Sequence, residues 1–413
     1  MYTIHAIVME ISVTALKTYT RLWVLGIGML CPGILWAELE LELRPPVGQN
    51  ILSWSPEQQL QGYGSMDSIF PTRIVPSNDA VLPLPSVEPN KAFDEVGLSY
   101  SFVGADKAET TITGVSSFMQ RMNTAGLLVV KDGVVQIERY ALGHHAQRPW
   151  VSFSITKSVV SMLVGAAIKD GYINGVNDPV TDYLPRLKGG VYDGVSVGQL
   201  LQMSSGVGWN ENYTDPNSDV AVAPLGGVEL FRYMNQLPRT SKPGAAFNYS
   251  TGETNLVGAM LRAAIGNNLS TYLAAKIWQP YGMESDANWL LDRHHGAEVG
   301  GCCISAILRD YTRLGLFALN SGRSADGHSV LPDGWMREST GASPSFAGYG
   351  YSWWLMQPEV FAAEGVFGQI IWVDRRHNLI IAMHSAWPAA WGPELESELM
   401  AFIRAITGRL VEG

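Results

Sequence analysis

The sequence predicts an α/β (α+β) fold in which an antiparallel sheet is built from both chain ends, flanked by helices, and carries an inserted, mostly helical lobe. The stretch 126–143 has Asp132-Gly133 between two β-branched runs, which is a strong hairpin signal. The chain is mostly helical from there to about Asn320. Strand-like runs return at 349–356, 368–374 and 378–385, and the last two are joined by the short segment RRH. Strands at both ends and helices between them predict an active site between the two lobes.

Length and composition indicate a globular protein with a large core. The chain has 413 residues, of which 46% are hydrophobic and 16% are charged. Its formal net charge of -10 argues against nucleic acid or an anionic membrane surface as the main partner. The three cysteines, Cys31, Cys302 and Cys303, form no C-x-x-C pair or Cys/His cluster, so neither a disulfide framework nor a metal site is predicted.

The first residues resemble an export signal. Lys17 and Arg21 precede an uncharged stretch, 22–37, that is short for a membrane span. We predict a signal peptide over 1–37 and a periplasmic or secreted protein with no stable membrane insertion after its removal. A buried helix or a membrane anchor is the alternative, and the location is cytoplasmic if the segment is not cleaved or the start is misassigned.

Two further segments complete the predicted organisation. Residues 38–114 are rich in Pro, Ser and Asn and predict an extension that wraps the surface. Residues 115–413 form the catalytic domain, which a long amphipathic helix at 393–410 closes.

A buried helix begins with a serine and, one turn later, a lysine. The stretch from Ser158 to Ile168 has no charged residue, which predicts a helix buried on every side. Ser154 and Lys157 are three residues apart, so both lie on one face of its first turn. A lysine removed from water binds its proton less tightly and can act as a base towards the hydroxyl. The alternative is an incidental polar start to the helix. The position of the pair, rather than its spacing alone, favours catalysis.

A second candidate is Tyr249. The segment Tyr249-Ser250-Thr251 follows a Pro-Gly turn and precedes an apolar helix that begins near Glu253. Most tyrosines at such junctions simply cap the core. Beside a lysine ammonium, however, we expect the pKa of the phenol to be lowered, so that the phenol relays a proton.

These motifs resemble those of a known superfamily. Ser154-Ile155-Thr156-Lys157 followed by Tyr249-Ser250-Thr251 is similar to the pattern of class C β-lactamases, penicillin-binding proteins with D-Ala-D-Ala peptidase activity, and family VIII carboxylesterases. The likeness extends from about Gly126 to the C-terminus and includes, in order, DPVTDYLPRLKGG, WNENYTDP, IWQPYGME and GVFGQIIWVD. Among these proteins it resembles the 6-aminohexanoate-dimer (nylon-oligomer) hydrolases in particular. The resemblance implies a β-lactamase/transpeptidase-like fold.

The resemblance also implies residue roles. Ser154 would be the nucleophile, Lys157 its base, and Tyr249 the acid that protonates the leaving group. Tyr213, in WNENYTDP, matches a tyrosine that closes over a bound amide; the alternative is a loop aromatic packed on the surface. Thr251 would contact the substrate.

The third motif of the superfamily departs from the usual pattern. β-lactamases carry Lys-Thr-Gly there and peptidases or esterases often His-x-Gly, whereas this chain has Ala363-Glu364-Gly365. Strong β-lactamase activity is therefore not expected. The resemblance implies that the backbone N–H groups of Ser154 and Val366 form an oxyanion hole, with Gly365 letting the substrate approach.

Other residues that could carry catalysis have weaker sequence support. No G-x-S-x-G exists to form a nucleophile elbow, and His144-His145 and His294-His295 lie in polar stretches. His384 lies on a predicted strand and is expected to be a core residue. Asp219 is expected to be structural, with contact to a substrate amine as the alternative.

The predicted function is a serine hydrolase that cleaves ester or amide bonds of small molecules through an acyl-enzyme on Ser154. The substrates would be amides like 6-aminohexanoate oligomers, or short-chain carboxylic esters. No cofactor, metal or nucleic-acid partner is expected, and the protein would be a monomer or homodimer. The alternatives are a D-amino-acid peptidase or weak β-lactamase, and a non-catalytic ligand-binding sensor.

Overall fold

The computed structural model describes residues 50–87, 97–104 and 107–412. The predicted signal peptide, 1–37, lies outside these residues. Within them, no helix has the combined length and apolarity needed to cross a membrane. The same described ranges contain no group of three or more His, Cys, Asp or Glu side chains placed to hold a metal ion.

The strands of the described residues form three sheets. In chain order the strands are β1 (Thr72–Val75), β2 (Ser99–Val103), β3 (Glu109–Thr113), β4 (Thr124–Lys131), β5 (Val134–Tyr140), β6 (Trp150–Val151), β7 (Ala287–Leu290), β8 (Ile304–Ala306), β9 (Trp354–Gln357), β10 (Val360–Gly365), β11 (Gln369–Asp374) and β12 (Leu379–Ser385). The central sheet has the order β5-β4-β12-β11-β10-β9, and β1-β7-β8-β6 and β2-β3 form two smaller sheets.

The central sheet confirms the predicted architecture, because strands from the two ends of the chain pair at its middle. Antiparallel β4 and β12 join the predicted N-terminal hairpin to the C-terminal strands. The hairpin turn is Asp132-Gly133, with φ of 52° and 78°, the positive values that a two-residue turn of this kind needs. Alternate β4 side chains enter different cores: Leu128 and Val130 face one, and Leu127 and Val129 face the other.

Helices cover both faces of the central sheet. The α-helices of the described residues are α1 (Pro56–Gly62), α2 (Met66–Ile69), α3 (Val115–Arg121), α4 (Ile155–Lys169), α5 (Val180–Tyr183), α6 (Val197–Leu201), α7 (Asp219–Val222), α8 (Gly227–Gln236), α9 (Thr251–Ile265), α10 (Leu269–Leu273), α11 (Leu308–Leu319), α12 (Trp335–Ser339) and α13 (Pro393–Glu412). Every residue of α4 from Ile155 to Ala167 is buried, including Lys157, which agrees with the burial predicted from the uncharged stretch that begins at Ser158. Leu399, Phe402 and Ile406 of α13 enter the core on the opposite face of the sheet.

The structure differs from the sequence predictions in the middle of the chain. β7 and β8 interrupt the predicted helical region because they pair with each other and with β1 and β6, partners distant in sequence that periodicity does not reveal. The strand predicted from Tyr349 begins only at Trp354. The sulfurs of the adjacent Cys302 and Cys303 are linked, which closes no long loop.

The described part of the N-terminal extension contributes buried side chains to the core. Ser55 caps α1 with a reciprocal capping box, and Pro56 occupies the first helical position. Trp54 and Tyr63 are 4% and 0% exposed, and β1 pairs with β7. This segment therefore packs into the domain as well as covering it.

Candidate active site

The serine and lysine lie where β6 leads into α4. Ser154 is the N-cap residue of α4, and its side chain makes no capping hydrogen bond, so its Oγ is available to other partners. The N–H of Lys157 donates to the carbonyl of Ser154 at 2.9 Å, which closes the first turn. One helical turn thus places both side chains on the same face.

The buried ammonium of Lys157 has three hydrogen-bond acceptors. Its Nζ donates to Ser154 Oγ at 2.9 Å, to Thr251 Oγ1 at 3.0 Å and to the Gly301 carbonyl at 2.9 Å. The residue is only 1% exposed. Burial lowers the pKa of Lys157 from 10.5 to about 8. The nearby Glu211 carboxylate has the smaller, opposite effect and raises this pKa. A substantial fraction of the amine is therefore neutral near pH 8.

Tyr249 lies over the same lysine. The Lys157 Nζ is 5.3 Å from the centroid of the Tyr249 ring. The expectation that the ammonium lowers the pKa of Tyr249 is wrong: burial raises that pKa well above its usual value, because the loss of water disfavours the phenolate. Tyr249 stays protonated at neutral pH, so it is equipped to donate a proton.

Glu211 lies at the centre of the site, and the sequence analysis did not identify it. Its carboxylate accepts hydrogen bonds from the Trp209 indole, from the Thr251 backbone N–H at 3.0 Å and from the Thr251 hydroxyl. The Tyr213 hydroxyl also donates to it, at 2.8 Å. An acidic residue with an aromatic residue two positions away on each side was the available signal. That signal is weak, because carboxylates in loops are usually solvated.

The carboxylate connects the predicted residues into one network. The Thr251 hydroxyl donates to Glu211 and accepts from Lys157, so it links the acid to the base. Tyr213 joins the same network through its hydroxyl. Gly301, which the sequence analysis also missed, is held by its own N–H, which donates to Asn255 Oδ1 at 2.8 Å.

The end of β10 lies against the serine. A Cβ on Gly365 would come within 2.3 Å of the Ser152 carbonyl oxygen and 3.1 Å of the Ser154 nitrogen, so only glycine fits there. Among the described residues, the N–H groups of Ser154 and Val366 have no acceptor in the surrounding loop and turn hydrogen bonds. Backbone donors on both sides of one point are what an oxyanion requires.

Aromatic rings form one wall of the site. The Tyr249 ring stacks on Trp354 at 5.6 Å and meets Tyr349 edge-on at 6.0 Å. Phe247 packs against Phe346, Tyr349 and Trp354. This wall is apolar, so it favours uncharged groups on a substrate.

Two other candidates lie outside this network. Asp219 accepts from the Asn210 N–H at 2.7 Å and from the Tyr233 hydroxyl at 2.5 Å, which occupies both of its oxygens in holding the loop. His144 lies not in a polar loop, as expected, but buried with its Nε2 3.0 Å from His384 Nδ1. Burial lowers the pKa of His144 to about 3, so this pair remains uncharged.

Comparison with known proteins agrees with this architecture. The family model described as Beta-lactamase matches residues 111–401. A 6-aminohexanoate-dimer hydrolase from Paenarthrobacter ureafaciens is 28% identical over 313 residues, which are 69% of this chain and 78% of that protein.

Solved structures share the fold at lower identity. One is a Bacillus anthracis protein whose assignment as a 6-aminohexanoate-dimer hydrolase is provisional: its TM-score is 0.76 at 20% identity, over 89% of this chain and 99% of that chain. Another is a family VIII carboxylesterase, with a TM-score of 0.53 at 19% identity, over 70% of this chain and 95% of that chain. Because the Beta-lactamase match spans most of the sequence, this chain belongs to the serine beta-lactamase-like family of hydrolases.

Proposed function

We propose that this protein is a serine hydrolase that cleaves ester or amide bonds of small substrates through an acyl-enzyme on Ser154. The observation that carries the proposal is the 2.9 Å hydrogen bond between Lys157 Nζ and Ser154 Oγ. The lysine is buried, and its pKa is lowered to about 8. A neutral amine that touches a hydroxyl is a general base next to its nucleophile.

Acylation would use four groups in sequence. Neutral Lys157 takes the Ser154 proton as Oγ attacks the carbonyl carbon, and the carbonyl π electrons move to its oxygen. The N–H groups of Ser154 and Val366 stabilise this oxyanion; loss of one such donor typically lowers the rate about 10²–10³-fold. The oxyanion then re-forms the carbonyl and the bond to the leaving group breaks. Tyr249 gives its proton to the departing amine or alcohol and regains one from the Lys157 ammonium.

Deacylation would run through the same groups. Water attacks the ester carbonyl and gives a proton to neutral Lys157. The carbon–Oγ bond breaks, Ser154 Oγ takes up the proton, and the free acid leaves. The contacts of Lys157 with the Ser154 hydroxyl and with the Tyr249 ring support this sequence of steps.

Two features of the site bear on its substrates: it lacks a cation at the third motif, and one wall is apolar and suits an aliphatic chain. Ala363, at the position where β-lactamases carry a lysine, supplies no cation for a substrate carboxylate. The wall of Phe247, Tyr349 and Trp354 beside Tyr249 is apolar. The relationship to a 6-aminohexanoate-dimer hydrolase makes linear amides of that kind the first candidates, and short-chain esters the second.

The test is amine release from the linear 6-aminohexanoate dimer by the wild type and by Ser154→Ala, with p-nitrophenyl butyrate as the ester substrate. We expect at least one substrate to be cleaved by the wild type and neither by Ser154→Ala. Cleavage of the ester alone would assign an esterase and remove the amide part of the proposal. Full activity in Ser154→Ala would overturn the proposal.

The same preparation separates the alternatives. A fluorophosphonate probe should label Ser154, and a burst of product without turnover would instead indicate a ligand sensor that acylates and stalls. Rapid turnover of a chromogenic cephalosporin would favour the β-lactamase alternative, which the absence of a cation at Ala363 opposes.

A further inference from the structure

The two proposed oxyanion donors each adjoin a residue with a left-handed backbone. Phe153, directly before Ser154, has φ of 46°, and Phe367, directly after Val366, has φ of 62°. This region is unfavourable for any residue with a Cβ, which comes too close to the carbonyl oxygen that follows. Such a conformation persists only where the surrounding structure holds it.

The side chains of these two phenylalanines meet each other and Tyr63. The Phe153 and Phe367 ring centroids are 5.4 Å apart. Tyr63 lies 5.2 Å from Phe153, edge-on, and 6.0 Å from Phe367. All three residues are at most 3% exposed. One ring therefore contacts the neighbour of each proposed oxyanion donor.

Tyr63 is itself firmly held. It follows α1, and its carbonyl accepts from the Val151 N–H at 3.0 Å, which fixes it to β6. Its ring also packs edge-on against Trp150 at 5.8 Å. Tyr63 precedes the part of the chain that matches the family model, residues 111–401, so this contact comes from the N-terminal extension.

The backbone of Phe367 has hydrogen bonds of its own, but among the described residues none of them joins it to Phe153. The Phe367 N–H donates to the Ala390 carbonyl at 2.9 Å, and the Phe367 carbonyl accepts from Gln369 Nε2 at 3.0 Å. These bonds hold the turn after β10 to its own sheet. Besides the close backbone packing of Gly365 against Ser152 and Ser154, the three packed rings connect that turn to the start of α4.

We propose that Tyr63 is a positioning residue, which keeps the Ser154 and Val366 N–H groups aimed at one point through its contacts with Phe153 and Phe367. The inference rests on the proposed function, because it needs an oxyanion at that point. The ring carries the effect: the buried Tyr63 hydroxyl has no hydrogen-bond partner among the described residues.

The test compares Tyr63→Ala, Tyr63→Leu and Tyr63→Phe, with Phe70→Ala as the matched control. Phe70 stacks on Trp54 at 6.0 Å in the same aromatic cluster, and among the described residues it has no ring contact with Phe153 or Phe367. Active sites are counted by complete fluorophosphonate labelling. The kcat and KM for the ester or amide that the wild type cleaves are then measured per labelled site.

We expect Tyr63→Ala to lower kcat per labelled site about tenfold to a hundredfold, with KM changed less than threefold, because the misaligned donors act on the transition state. Tyr63→Leu should lose less, and Tyr63→Phe should match the wild type. A boronic acid inhibitor, whose tetrahedral adduct occupies the same donors, should bind more weakly to Tyr63→Ala in the same proportion.

Two results would overturn the inference about Tyr63. If Tyr63→Ala and Phe70→Ala lose folded protein to a similar degree while kcat per labelled site stays at the wild-type value, Tyr63 is only structural and the inference is wrong. If Tyr63→Ala does not fold, an unchanged kcat in Tyr63→Leu overturns it in the same way. Activity that survives Ser154→Ala refutes the proposed function instead, so the two failures are distinguishable.

Discussion

Two buried ionisable groups in this protein have similar pKa values, although burial lowers the pKa of one and raises the pKa of the other. Burial lowers the pKa of Lys157 in α4 to about 8, and burial raises the pKa of Glu253 in α9 to about 8. They are 1% and 2% exposed. A displaced pKa is often treated as a sign of function, and by that criterion the two residues are equivalent.

Their neighbours distinguish them. Lys157 touches the hydroxyl of Ser154, and its other acceptors belong to the same site. Glu253 accepts from Ser205, and its N–H donates to Ser250 at 3.2 Å, so it ties α9 to the loop after α6. The comparison teaches that contact with the proposed nucleophile, rather than the size of a pKa displacement, distinguishes the proposed catalytic lysine from the structural glutamate.

The largest effect is expected at Lys157. Lys157→Met removes the base while keeping the length of the side chain, so kcat/KM should fall about 10²–10⁴-fold, the usual contribution of a general base. Steady-state kinetics on the ester substrate would measure this. Lys169→Met, at the exposed end of the same helix, is the matched control and should retain activity. If kcat/KM falls less than fivefold in Lys157→Met, Lys157 is no more important for activity than Glu253 is expected to be, and the comparison fails.

The same variant gives a prediction about pH. Because the pKa of Lys157 is lower in the folded chain than in the unfolded one, the unfolded chain binds more protons between about pH 8 and 10.5. The wild type should therefore gain unfolding free energy over that range relative to Lys157→Met. In the wild type, kcat/KM should rise with pH and level off above about 8, as the amine becomes neutral. Urea unfolding and a pH–rate profile would detect these changes.

A smaller effect is expected at Glu211. Its carboxylate raises the pKa of Lys157, so Glu211→Gln should move the acid limb of the kcat/KM profile to lower pH. The plateau should fall several-fold, since Thr251 and Tyr213 lose a charged acceptor and charge-assisted hydrogen bonds are the stronger ones. Asp215→Asn, in the same loop, is the control. A lower plateau with an unmoved acid limb would show that Glu211 acts only by holding the loop.

Local sequence signals predicted the parts of the site that depend on one element. The Ser154–Lys157 pair follows from helical spacing in an uncharged helix, and the β4–β5 hairpin follows from Asp132-Gly133. Residues whose partners lie in distant chain segments gave at most a weak local signal. Glu211 is defined by hydrogen bonds to Thr251, forty positions away, and Tyr63 by contact with Phe367.

The sign of the Tyr249 pKa displacement was mispredicted for a related reason. The expectation assumed that Tyr249 lies beside the Lys157 ammonium, and a neighbouring positive charge alone would lower the pKa of the phenol. Burial depends on the whole fold, and here it dominates. A sequence therefore indicates which residues lie near each other more readily than it indicates how exposed those residues are to solvent.

The smallest effect on activity is expected at Glu253. Glu253→Gln preserves the shape of the side chain and an oxygen for Ser205, and it touches no reacting atom, so kcat/KM should stay within twofold of the wild type. The variant should instead differ from the wild type in how the free energy of unfolding depends on pH. The folded pKa of about 8 lies above the unfolded value of 4.5, so the folded wild type binds more protons between these values and loses stability as pH rises through them.

Glu253→Gln has no such group to ionise. Its unfolding free energy should therefore be flatter with pH and should exceed that of the wild type at pH 9, which urea unfolding at pH 6 and 9 would test. Glu229→Gln, in the first turn of α8, is the control and should follow the wild type. A large loss of kcat/KM in Glu253→Gln with its fold intact would contradict the comparison, because a group remote from the nucleophile would then matter as much as Lys157.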